Sequence, residues 1–238
     1  MTCSVDSEVD LYNRSTASEL GGSVLSSETN KMALGALPGK SAAPISTMGM
    51  LFFASGAAAL IYQVCWQRLL FSGLGSDSIS IAIIVSVFML GLGLGGLLGG
   101  WLADRFPRPL MFFVGIELLI CIYGFLSVDI IDVAMRYADL RSEIAIMVIA
   151  LVVTVIPTTL MGMTLPILVV CLDRIVKNVG QATGYLYCVN TLGAAVGAFA
   201  TGLYIFKFLD IEQTTWLAAS LNLFVAGGGA LLLKRWQS

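Results

Sequence analysis

The sequence predicts an all-α integral membrane protein, six transmembrane helices preceded by a disordered amino-terminal tail. Three observations predict it. Of 238 residues, 58% are hydrophobic and only 12% charged, about half the charged share of a soluble domain. The charges crowd into residues 1–45 and into short gaps further on. Between those gaps lie six apolar runs, roughly 47–72, 78–103, 109–131, 145–172, 180–208 and 213–233. Each is long enough to cross a hydrocarbon core, which takes about 20 residues. In lipid the backbone must satisfy its own hydrogen bonds, so such runs are helices. Barrel strands would be about 10 residues long and alternate in polarity.

The same composition excludes several functions. With no histidine, Ser-His-Asp and Cys-His catalysis and His-ligated zinc are ruled out. Cys3, Cys65, Cys121, Cys171 and Cys188 form no CxxC pair and are odd in number, which indicates neither a disulfide framework nor a metal knuckle. A net charge of -2 argues against a nucleic-acid partner. No catalytic set, metal site or cofactor is expected.

Residues 1–45 are read as a cytoplasmic tail. They are rich in Ser, Thr and Gly, hold Asp6, Glu8, Asp10, Glu19 and Glu28, and have no sustained apolar period. No apolar core follows Met1, so the tail is not a secretory signal. GALPGKS at 35–41 falls short of a phosphate loop, because Leu34 stands where its first glycine is needed. Asn13-Arg14-Ser15 fits a glycosylation acceptor, yet the orientation puts it inside the cell. Residues 46–238 form the membrane domain. Positive charge sets its orientation. With the amino terminus cytoplasmic, Arg14, Lys31, Lys40, Arg105, Arg108, Arg174, Lys177, Lys234 and Arg235 lie inside. Arg68, Arg136, Arg141 and Lys207 lie outside. Both termini are then cytoplasmic, and the expected location is a bacterial inner (plasma) membrane. Trp66 and Trp216 fall near outer helix ends, and Trp101 and Trp236 near inner ends, as an aromatic belt would place them. The outer loop at 129–143 is expected to be a solvated connector, with a short surface helix as the alternative.

Within the runs, glycines recur at helical spacing. Gly91, Gly95 and Gly99 strip one face of the second run, and Gly193 with Gly197 does the same for the fifth, so neighbouring helices can approach closely. GLGLGG at 91–96 formally matches a dinucleotide fingerprint but has no strand before it. Pro157 and Pro166 interrupt the fourth run. Each frees a carbonyl and bends the axis, and Thr158, Thr159 and Thr164 are expected to re-satisfy the freed groups.

Glu117 is the one acid well inside a run, about 12 Å from the inner end at 1.5 Å per residue. A charge there is costly unless paired or hydrated. Counting depth from the helix ends places Thr164, Asn190 and Thr191 at a similar level, giving an expected inner polar layer of Glu117, Thr164 and Asn190. Tyr62, Gln63, Ser86 and Asn222 form a second layer further out, with Arg68 snorkelling near the rim. Glu117 is read as either a neutral structural acid or a proton or cation site.

GGWLADRFPRP at 99–109 resembles the loop between helices 2 and 3 of the major facilitator superfamily. Gly100, Leu102, Ala103, Asp104, Arg105 and Arg108 match it, and Pro107 replaces its glycine. The resemblance implies a six-helix half of a facilitator fold, with Asp104 as an inner-gate lock and Arg105 and Arg108 facing lipid or carboxylates. Four blocks, 52–71, 88–105, 156–168 and 184–202, resemble in order the membrane region of fused spermidine-synthase-like proteins. There a membrane segment precedes a cytosolic aminopropyltransferase domain. This chain ends at Ser238, just after the sixth run, so it is not expected to catalyse by itself. The resemblance implies a membrane module that anchors or serves such an enzyme and handles a cationic amine such as a polyamine. Two alternatives stand beside it: a half-transporter that pairs as a homodimer through the glycine faces of helices 2 and 5, or a structural subunit of a larger membrane complex.

Overall fold

The computed structural model describes residues 42–74, 78–137 and 143–237. The expected disorder of residues 1–41, the Asn13-Arg14-Ser15 triplet and the 35–41 segment lie outside the described residues. Six helices follow in order: α1 (Ala42–Leu74), α2 (Ser78–Arg105), α3 (Pro109–Tyr137), α4 (Glu143–Val176), α5 (Val179–Leu203) and α6 (Ile211–Gln237), with a 3-10 turn at Ile205–Lys207. Among the described residues every element is helical, and all six helices are long and apolar enough to cross a membrane.

The helices outrun the apolar stretches that announced them. A helix does not stop where its oily section stops. Residues 42–45, assigned above to the tail, already belong to α1. Residues 129–137, expected as a connector or a separate surface helix, continue α3. Ile131 stays buried there, and Asp132 pairs with Arg136 one turn on at 2.5 Å, a spacing that supports a helix. At the other end of α3, Pro109 occupies the first helical position, where its missing N–H costs nothing. α5 stops at Leu203 rather than at 208, giving way to the 3-10 turn. Asp210 then starts α6 by accepting the Gln213 N–H at 2.7 Å, as an N-cap does. The α4–α5 reversal is tight: Lys177 adopts φ 54°, and Asn178 caps α5 through the Gln181 N–H at 3.0 Å.

The described residues from 44 onward form one compact unit, in which two glycine seams join parallel helices that are not neighbours in sequence. The glycine face of α2 lies on α4 in strict step. A Cβ on Gly91 would meet Thr158, one on Gly95 would meet Thr159 and Gly162, and one on Gly99 would meet Met163 and Pro166. The glycine face of α5 lies on α1 in the same way, Gly193 against Phe53 and Gly197 against Ala57. Backbones this close gain dispersion contact that side chains would prevent. α3 packs on α4 and, antiparallel, on α6, where Gly229 faces Phe113 and Val114. α6 also reaches α1 through Gly228 and Leu51. Exchanging α1–α3 for α4–α6 as sets therefore carries the α2–α4 seam onto the α5–α1 seam. It also carries the α3–α4 pair onto the α6–α1 pair and leaves the α3–α6 pair in place.

α1 is the most buried helix and α5 the least. Large apolar side chains cover the outside, Leu97 at 76% exposure and Phe199 at 65% among them. A monomer in water rarely shows so much contiguous apolar surface.

Candidate functional site

The site lies where α1, α3 and α6 meet. Glu117 of α3 is fully buried. Ser55 of α1 donates its hydroxyl to Glu117 Oε1 at 2.7 Å, and Asn222 of α6 donates its Nδ2 to Oε2 at 2.6 Å. All three side chains are buried. Among the described residues, both partners of the acid are neutral.

Register explains the meeting. Ser55 and Glu117 are 62 positions apart, and Tyr62 sits on Gly124 at the same separation. α1 and α3 thus run parallel and in step, and residues two turns apart on each share one face. On the α6 side, Gly229 opposite Phe113 and Val114 puts Asn222 opposite residues 120–121. That is about one turn, or 5.4 Å, beyond Glu117, a gap that the glutamate side chain spans.

The two polar layers expected from depth therefore merge at Glu117 and Asn222. Counting from helix ends assumes ends in one plane and ignores the reach of side chains. Thr164 is buried but donates to the Met161 carbonyl of its own helix at 2.6 Å. Asn190 lies against Gly56 of α1, one residue past Ser55. Thr191 is exposed and Gln63 half-buried. Ser86 is exposed. Ser55, the acid's second partner, was not foreseen. Its only signal is that Ser55, Tyr62 and Trp66 share one helical stripe.

Trp66, expected in an interfacial belt, is instead 2% exposed. Its ring stacks on Tyr62 at 5.1 Å and meets the edge of Tyr123 at 5.7 Å. Tyr123 then donates its hydroxyl to the Val153 carbonyl, four residues before Pro157. That carbonyl is the one the proline leaves without a helical N–H. A tyrosine from α3 satisfies it, whereas Thr158 bonds the Thr154 and Val155 carbonyls. α4 runs unbroken through both Pro157 and Pro166.

Three buried polar atoms in this region have no protein partner among the described residues: Tyr62 Oη, Trp66 Nε1 and Asn222 Oδ1. Arg68 lies beyond them, exposed, with its guanidinium 4.7 Å from the Phe206 ring centre.

The loop at 99–109 is elsewhere. Gly100 faces open space, Asp104 and Arg108 are exposed, and Arg105 lies over the Trp101 ring at 5.8 Å. The contact across to α4 comes from Arg174, which donates to the Pro107 carbonyl at 3.0 Å. Arg108, Arg174, Cys171 and Leu233 line a cleft of about 480 Å³ beside it.

Comparison with family models, with curated proteins and with solved structures finds no match.

Proposed function

We propose that the chain is a polytopic membrane module built like one half of a major facilitator, that it serves a cytosolic aminopropyltransferase, and that Glu117 is its site for a cationic amine. The observation that carries this reading is a fully buried carboxyl group whose partners among the described residues, Ser55 and Asn222, are neutral, with the stacked rings of Tyr62 and Trp66 two turns and more further along the α1–α3 seam. An intramembrane acid without a base is a functional residue by default, and aromatic faces attract ammonium groups. The apolar exterior supports insertion in a bilayer. The exchange of α1–α3 with α4–α6 supports the facilitator reading, since each half of that fold nests two inverted three-helix repeats. The positive charge at Arg105, Arg108, Arg174, Lys177, Lys234 and Arg235 supports cytoplasmic termini, in the compartment of the enzyme.

The homodimer reading loses its suggested surfaces, because the glycine faces of α2 and α5 are occupied by α4 and α1. The test is binding and uptake of labelled spermidine by liposomes holding the purified full chain. Saturable binding that falls at least tenfold in Glu117→Gln, a change of about 1.4 kcal/mol, supports the proposal. Equal binding by the variant, or none by either protein, overturns the amine assignment.

A further inference from the structure

We propose that Glu117 is a proton-binding site served by a thread of bound water along the α1–α3 seam, running from the acid as far as Trp66 and Ser127, toward the bundle end where α1 and α3 terminate. This goes beyond the amine reading and does not depend on it. Two observations carry it, the chemistry of the acid's partners and the placement of the unpartnered polar atoms.

The partners can serve either charge state. A serine hydroxyl donates or accepts, and an asparagine offers N–H or C=O after a flip of its amide. Ser55 and Asn222 donate to Glu117 as it stands. When the carboxyl carries a proton, either partner can turn and accept it. An arginine or lysine in their place could only donate and would fix the charge.

The unpartnered atoms form a ladder. Along the face of α3 that begins at Glu117, Asn222 lies opposite residues 120–121. The Tyr62 hydroxyl lies at Gly124, and Trp66, one turn further along α1, edges Tyr123. Ser127, fully buried on the same face, donates to the Gly124 carbonyl at 2.9 Å and keeps lone pairs to accept with. Successive rungs are about one turn, 5.4 Å, apart, close to the span of a water bonded on both sides. Tyr62 and Trp66 supply donors and Asn222 supplies an acceptor, the complementary set a water chain requires. Buried polar atoms left dry are costly, and ordered water is their usual partner when protein is not.

Proton release breaks the O–H bond at Glu117 and forms one on the nearest water. That water passes a different proton on along the thread to the Ser127 rung, and bulk solvent beyond the buried Leu70 and Ile131 is the final acceptor, which leaves every water neutral. The indole N–H only donates, so Trp66 orients water without relaying. The titratable groups facing this region are Tyr62 and Cys65 on α1 and Cys121 and Tyr123 on α3. α6 presents Asn222, which does not titrate, and Tyr123 faces the Val153 carbonyl of α4.

Infrared spectroscopy of the full chain in nanodiscs tests this. A protonated-carboxyl stretch should fade as the pH is raised, shift in D₂O, and be missing from Glu117→Gln. Should that variant not fold, carbon-13 glutamate in the unmodified chain shifts the band when a glutamate carries it, and Glu117 is the fully buried glutamate among the described residues. Deuterium exchange at the band should slow about tenfold in Tyr62→Phe/Trp66→Phe, the factor worth one hydrogen bond. A carboxyl band that is absent, or that ignores pH, overturns the proposal. So does exchange as fast in the double variant as in the original chain.

Discussion

Tyr123 and Pro157 share one carbonyl, and that sharing is measurable. Removing the hydroxyl in Tyr123→Phe leaves the Val153 oxygen buried without a donor and should lower stability by about 1–2 kcal/mol. In a Pro157→Ala background the backbone N–H returns and can take that oxygen, so the same change should cost clearly less. Thermal unfolding in detergent of both single variants and the double variant closes the cycle. Strict additivity would show that the two residues do not serve the same group. Glu117 and Asn222 stood out in the sequence because a polar side chain in an oily run is conspicuous. Ser55 did not, since a serine among Gly56, Ala57 and Ala58 looks like any small residue at a helix contact. The role of Tyr123 was equally hidden, because its acceptor belongs to a helix 30 positions away.

Two glycines on one helix separate close packing from mere composition. A Cβ on Gly95 would overlap the Thr159 carbonyl oxygen, which is backbone and cannot turn aside, whereas one on Gly93 meets nothing within 4 Å. Gly95→Ala should therefore destabilise by about 2 kcal/mol or more, as overpacking does. Gly93→Ala should be neutral or stabilise by up to about 1 kcal/mol through helix propensity. Unfolding midpoints of the two variants check this, and equal effects would mean that α2 does not lie on α4. Elements of this kind were largely legible, since spacing by four announces a bare face. Which helix fills that face was not, because a period says nothing about its partner. Helix ends were misread for a related reason. Hydropathy marks where oil stops, while Asp132, Arg136 and Asp210 extend or start helices in polar sequence. Trp66 was misplaced by its distance from an end, when its stripe with Tyr62 was the better guide.

For the whole molecule, the proposed topology of six crossings predicts both termini on one side. Impermeant labels directed at tags ahead of Ala42 and after Gln237 should react from the same face of sealed vesicles, and labelling from opposite faces would refute the topology. The count of helices came from run lengths alone. Their arrangement rests on registers between α1 and α3, α2 and α4, and α5 and α1 that only three dimensions reveal.

Ser55 and Gly56 are consecutive, yet they address different helices: one holds the acid of α3, the other rests on the Asn190 backbone of α5. About 100° of helical rotation separates them, so the same short stretch of α1 fixes both contacts, and any turn of that rod on its α5 seat would also draw the hydroxyl away from the carboxyl.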